Sequence, residues 1–372
     1  MRTKLVSDIR NRIGIPSLSA NYATLYINDE YLGLFILTDL FKESWIEYIY
    51  GEKDTKSLYK CNKCYLNFET RSGFKNENKK ATNVKELYEF LAEMTKAKSA
   101  SDVESIFDLN LFYKNIAVDF LVGSWDHIFH NYYIYKSKES NKWIYLSYDF
   151  DLDMGRDVEP TMGLDIFSES PVLEKLISND NSHFKEAIKE IVSNVFNPAI
   201  LFPHIDEIKT FIRPYVKLDK TLDEKGQYPG KLNKFGDGFY SLEQWEDSIE
   251  FKEAKEGIYS LKKFILLRYR IICHNYDLEC SPIYLNDNYE YLSTITSNLT
   301  INEDDYINIL KALDDEDEFL CDPSYLAKHY EEELNTSDDL FNELNNKNEL
   351  SEINFKNDND DENDDFSKHD DF

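Results

Sequence analysis

The 372-residue sequence reads as an α+β protein: a small β-containing N-terminal piece, a central hairpin and a mostly helical C-terminal half. Three observations predict this. β-rich runs flank Asn28-Asp29. Two aromatic-rich runs, "NYYIYKS" and "KWIYLSYDF", flank the polar turn "KESN". Beyond residue 160, apolar residues recur at three- and four-residue intervals.

Taken in order, Leu5, Ile9 and Ile13 share one helical face of "KLVSDIRNRIGI", and Gly14 and Pro16 stop that helix. Residues 22–39 read as two antiparallel strands with Asn28-Asp29 at the turn. The Lys- and Asn-rich stretch 70–83 reads as a loop. Asn83 then opens a helix with Glu86 as its capping-box partner and a buried stripe of Val84, Leu87, Leu91 and Met94. A helix over about 108–122 places Leu109, Phe112, Ile116 and Phe120 at helical spacing. Tyr, Ile and Trp in the two central runs suit strands. The helical half contains "HFKEAIKEIVSNVF", "HIDEIKTFIRPYV" and "GIYSLKKFILLRYRIIC", interrupted by a polar loop at about 222–240. On the last of these, Lys262, Lys263, Arg268 and Arg270 read as a solvated face. The expected divisions are a domain over 1–285, an acidic helical extension over 286–340 and a disordered acidic tail over 341–372.

Charge narrows the function classes. Of the net charge of -29, most sits at the C-terminal end, where residues 301–372 hold 25 acids against five Lys. A basic stripe is absent, which argues against nucleic acid as a partner. No run of 18 apolar residues exists to span a membrane, and "MRTKLVSDIR" has no apolar signal-peptide core. Five cysteines are too few for a disulfide-built scaffold. Cys61 and Cys64 form a lone CxxC without a second ligand pair for zinc, so a structural or incidental role is expected.

The chemistry concentrates in residues 123–155, "GSWDHIFHNYYIYKSKESNKWIYLSYDFDLDMG". In an antiparallel pair the start of the first strand lies beside the end of the second. Asn131 and Asp149 are therefore expected to be neighbours, with Asp126 in the preceding loop and Asp151 two residues beyond Asp149. Asp and Asn oxygens are hard ligands suited to Mg²⁺ or Mn²⁺, especially when phosphate completes the coordination. Protein kinases use this order: a catalytic-loop Asp, an Asn five residues on, two strands, then a metal-binding Asp. Ordinary turn chemistry also favours Asp at strand ends. An EF-hand is disfavoured, because the twelfth position counted from Asp149 is Pro160 rather than Glu. Around these acids, Trp125 reads as packing and His130 as a hydrogen-bonded structural histidine. Asp119 is expected to bond a neighbouring loop.

"GSWDHIFHNYYIY" followed by "KWIYLSYDFDLDMG" resembles the CotH family, the atypical protein kinases of spore coats and their fungal relatives. "YATLYINDEYLGLFILTDL" with "SLYK", "PVLEKLI", the "VFN" and "HIDEI" helices and "GIYSLKKFILLRYRII" are similar to the family in the same order, so the resemblance covers about residues 1–276. It implies an atypical protein-kinase-like fold with a truncated N-terminal lobe and a mostly helical C-terminal lobe. The family's nucleotide loop and ATP-binding Lys precede the segment at which this sequence starts, and Thr3 stands where the family has an acid. The implied cofactors are ATP and Mg²⁺ (or Mn²⁺). The implied activity is phosphorylation of Ser or Thr on coat or surface proteins, with self-phosphorylation. Asp126 would be catalytic, Asn131 and Asp149 would hold metal and cofactor, and Asp151 would be a supporting metal acid. Family habit implies a secreted, spore-coat or cell-surface setting. The other role it implies is a non-catalytic surface or coat binding protein.

Overall fold

The structure is a computed structural model that describes residues 1–290 apart from 125, 128, 157, 168, 169, 179, 223, 225, 230–240 and 253–257. Met1–Glu290 form one compact unit. The acidic helices and tail expected beyond 290, most of the expected 222–240 loop, and Trp125 lie outside the described residues.

Helix α1 (Arg2–Arg12) buries Leu5, Val6, Ile9 and also Arg10. Gly14 follows in the left-handed region. Strands β1 (Ala20–Ile27) and β2 (Glu30–Thr38) pair antiparallel as expected, with Asn28 and Asp29 both at positive φ. Positive φ at both turn positions matches the right-handed twist of a tight hairpin, and Asn and Asp tolerate it. After α2 (Glu43–Tyr50) comes the first departure. The loop expected over 70–83 contains β4 (Phe74–Asn76), which pairs with β3 (Leu58–Cys61). A three-residue strand with one buried residue, Phe74, leaves no periodic signal. β3 in turn pairs with β5 (Tyr132–Lys136), and β5 with β6 (Trp143–Ser147), so the central hairpin is half of a four-stranded sheet ordered β4-β3-β5-β6.

Helix α3 (Lys85–Lys96) buries Leu87, Phe90, Leu91 and Met94, but not through a capping box. Asn83 instead accepts from the Lys85 amide at 3.0 Å, and Glu86 reaches Lys136 at 3.4 Å. Helix α4 (Leu109–Val122) begins at an Asp108 cap and is buried around nearly its whole circumference, against α6 and β6. Short α5 (Pro171–Leu173) leads to α6 (Ser182–Asn194), α7 (Pro198–Asp219), α8 (Leu242–Asp247), α9 (Leu261–Asn275) and α10 (Pro282–Leu285). Ile208, Ile212 and Val216 of α7 pack beneath Tyr22 and Leu34 of the β1–β2 hairpin.

The expected solvated face on α9 is overturned. Lys262 is buried between Asp206 (2.7 Å) and Glu250 (2.9 Å). Lys263 reaches Glu290 at 2.9 Å. Arg270 donates to the Tyr284 carbonyl at 2.7 Å. Arg268 is 1 % exposed and donates to the carbonyls of Pro160 (2.7 Å), Met162 (2.5 Å) and Phe120 (2.6 Å). A guanidinium presents several donors in a fixed fork, so it can be buried where carbonyls converge. The four cysteines among the described residues are also structural: disulfides join Cys61 to Cys64 and Cys273 to Cys280. No helix among the described residues is long and apolar enough to cross a membrane.

Candidate functional site

The end of α4 seats the acidic segment. A helix leaves its last carbonyls without intrahelical donors. Here the Asp119 carbonyl accepts from Gly123 and Ser124, the Phe120 carbonyl from Arg268, and the Val122 carbonyl from the Met154 amide at 2.6 Å. Gly123 turns the chain out of the helix at φ 78. The segment after β6 is thereby fastened to the helix that precedes the Asp126 loop.

The hairpin performs the expected juxtaposition. Tyr132 is opposite Ser147, and one step further the Tyr148 amide donates to the Asn131 carbonyl at 2.9 Å. Asn131 and Asp149 therefore flank the same end of the sheet. Both adopt positive φ, 53 and 73, which is uncommon for residues other than glycine and clusters where function over-determines the backbone. Asn131 Nδ2 donates to Asp126 Oδ2 at 2.7 Å, and the His130 amide donates to the Asp126 carbonyl at 3.0 Å. These two bonds fix the Asp126 loop against the mouth of the hairpin. Asp126 keeps 24 % of its side chain exposed, so a solute can reach it. Asp149 and Asp151 lie at the surface beside each other. Partial desolvation, and then the charge of Asp151, push the Asp149 carboxyl above its ordinary range.

Behind these four residues lies a buried polar network that the sequence reading missed. Asp119 reaches the neighbouring loop as expected, through His127, and also an arginine that the sequence reading did not foresee. Its Oδ1 meets Arg10 Nη1 of α1 at 3.1 Å and His127 Nδ1 at 3.3 Å, all three side chains being wholly buried. Arg10 also donates to Asn115 Oδ1 and lies over the Phe150 ring at 5.2 Å. Ser124 Oγ donates to buried Asp153 at 2.5 Å. Burial disfavours a charged His127, yet Asp119, with Asp153 and Asp126, outweighs it and pushes the imidazole up to about 9. Burial pushes the Asp153 carboxyl up to about 7, against the pull of His127 and the Ser124 hydroxyl. One signal for the network was available. Asn115 and Asp119 stand four residues apart in the most apolar part of the helix, and buried polar groups need partners. Arg10, 109 residues from Asp119, carried no such signal.

This arrangement offers one accessible carboxylate, a fixed amide and a pair of crowded acids at a single sheet end. The family model described as "CotH kinase protein" matches residues 1–272. The chain belongs to the CotH family. It is 25% identical over 260 residues to spore coat protein homolog 1 of Rhizopus delemar, covering 62% of this chain and 42% of that protein. Invasin CotH7 of the same organism is 25% identical over 260 residues, covering 62% of this chain and 43% of the relative. The inner spore coat protein H of Bacillus subtilis is 24% identical over 244 residues, 59% of this chain and 66% of its own. This chain thus spans less than half the length of the two fungal relatives.

Proposed function

We propose that this CotH-family chain has a kinase-like fold and is a metal-dependent protein kinase that transfers the γ-phosphoryl group of ATP to Ser or Thr hydroxyls of protein. The observation that carries the reading is the bond from Asn131 Nδ2 to Asp126 Oδ2 at 2.7 Å, at the sheet end where Asp149 also sits. Asp126 takes the role of base. Asn131 occupies its Oδ2, while Oδ1, which lies 3.8 Å from His127 Nε2, is the oxygen that would orient the substrate hydroxyl and accept its proton. The hydroxyl oxygen forms a bond to the γ-phosphorus as the bond from that phosphorus to the β–γ bridging oxygen breaks, and ADP leaves.

The residues present fit a divalent cation. Because the Asn131 amide nitrogen is committed to Asp126, its carbonyl oxygen remains as a ligand. Asp149 and Asp151 crowd each other enough to raise the Asp149 carboxyl, a repulsion that a cation relieves. No group of three or more His, Cys, Asp or Glu among the described residues is arranged to hold a metal alone. That agrees with the habit of Mg²⁺, which takes one or two protein carboxylates and completes its shell with phosphate and water. Asn131 and Asp149 would hold it with Asp151 in support, and when bound it neutralises charge on the phosphates. The substrates we propose are proteins of a coat or cell surface, a coat being the setting that the names of the spore-coat relatives give.

The test is transfer of label from ATP to the chain itself and to a Ser-rich peptide, in Mg²⁺ and in Mn²⁺. The expected result is transfer that falls to background in Asp149→Ala while the melting temperature is kept. No transfer in either metal, with no ATP-dependent rise in melting temperature, would overturn the reading in favour of a non-catalytic binding protein.

A further inference from the structure

His127 has no part in the transfer proposed above, yet its contacts reach both halves of the site. The ring is wholly buried. Nδ1 faces Asp119 Oδ1 at 3.3 Å, and Nε2 lies 2.9 Å from the backbone carbonyl oxygen of Asp149. The Asp149 carbonyl can only accept, so Nε2 carries hydrogen, while Nδ1 stays within ion-pair distance of Asp119. Phe150 packs edge-on against the ring at 5.3 Å. Tyr145 Oη donates to the carbonyl of His127 itself at 2.5 Å. The imidazole is therefore held on three sides, with one end anchored in α4 and the other on the residue whose carboxylate opens to the surface.

The anchor is itself braced. Asp119 Oδ1 is shared with Arg10, and Arg10 is tied to Asn115 one turn earlier on α4. A rigid path of polar contacts thus runs from α1, through α4 and His127, to the Asp149 carbonyl. Asp149 stands at φ 73, an uncommon conformation that Asp tolerates better than most residues. The backbone carbonyl and the side chain leave the same Cα, so holding the carbonyl sets the position and the Cα–Cβ direction from which the carboxylate reaches out through its χ1 and χ2 rotamers.

We propose that His127 is a positioning residue: its Nε2–H grips the Asp149 carbonyl and so aims the Asp149 carboxylate at the metal-phosphate position. What the carboxylate is aimed at rests on the phosphoryl-transfer reading; the grip itself does not. Groups that orient metal ligands from behind typically contribute ten- to a hundredfold in metal affinity or activity.

The experiment compares the full chain with His127→Gln, which keeps an N–H donor, and His127→Leu, which fills similar space without one. Mn²⁺ affinity is read by electron paramagnetic resonance, phosphoryl transfer by label, and the His127 Nε2 proton of the unsubstituted chain by ¹⁵N-edited spectroscopy. The expected result is a slowly exchanging Nε2 proton and a loss of Mn²⁺ affinity in His127→Leu of about tenfold or more. The rate constant of transfer should fall with it, KM for the peptide should stay unchanged, and His127→Gln should recover most of both losses. Equal Mn²⁺ affinity in three folded proteins overturns the proposal. If His127→Leu does not fold, the direct signal decides, and an Nε2 proton exchanging as fast as an exposed histidine's overturns it. Absence of transfer from the unsubstituted chain would sink the kinase reading alone, because Mn²⁺ affinity and the Nε2 signal would still judge the grip.

Discussion

Deleting the charge of His127 should change the pH dependence of stability in a defined direction. The imidazole rises from 6.5 to about 9 on folding, so the native state binds its proton more tightly than the unfolded chain does. Stability from this group is fully present below pH 6.5 and is lost as pH rises through 9. The size of the shift corresponds to about 3 kcal/mol, with no discount for solvent because the ring is 0 % exposed. Asp153 works in the same direction but lower, since its carboxyl rises from 3.8 to about 7 and its contribution fades between those values. Groups common to both proteins cancel in the difference between the full chain and a His127 variant, so that difference reports His127. The assay is urea unfolding of the full chain and of His127→Gln at constant salt, with disulfides intact, at pH 6, 7, 8 and 9. The stability difference between the two should shrink by about 3 kcal/mol from pH 6 to pH 9. A difference that stays flat across this range would refute the ion pair with Asp119.

Two further substitutions test how the site is seated. Arg268→Met should lower the unfolding free energy by about 3–5 kcal/mol, because it strands the carbonyls of Pro160, Met162 and Phe120 without donors; a change below about 1 kcal/mol would show those carbonyls find other partners. Gly155→Ala should lower it by about 3 kcal/mol, read by the same urea titration. Gly155 stands at φ +87, and an added Cβ would lie 2.7 Å from Tyr259 Cβ and 2.8 Å from Phe264 Cδ2. A neutral result there would mean that the 148–155 segment can shift away from α9.

What the sequence made legible is local, and what it hid is long-range. The β1–β2 hairpin was readable because a two-residue turn and alternating strands are written within twenty residues. The meeting of Asn131 with Asp149 was readable because antiparallel pairing fixes which ends of a hairpin touch. β4 was hidden in a Lys- and Asn-rich stretch, since a three-residue edge strand is chosen by its partner β3 rather than by its own side chains. Arg10 and Arg268 were hidden by a shared error. A helical template assigns charged residues to the outer face, but Arg10 lies on the buried side of α1 with Val6 and Ile9, and Arg268 on that of α9 with Ile265 and Ile272.

The two arginines are buried for different reasons, and the difference explains how the core serves the site. Arg268 meets carbonyl oxygens and no carboxylate among its described hydrogen-bond partners, and burial pulls it down to about 10. One of those carbonyls, that of Phe120, is left over at the end of α4, where the negative end of the helix dipole favours a cation. Arg10 instead meets a carboxylate that also faces His127. Replacing Arg10 and Asp119 by apolar residues of similar volume would cost little by packing alone, since buried ion pairs seldom add net stability. It would leave the charged imidazole without its counter-ion and free the ring that bonds the Asp149 carbonyl. A core built only for stability has no need of that ion pair, whereas a core that must hold one backbone carbonyl in a left-handed turn does.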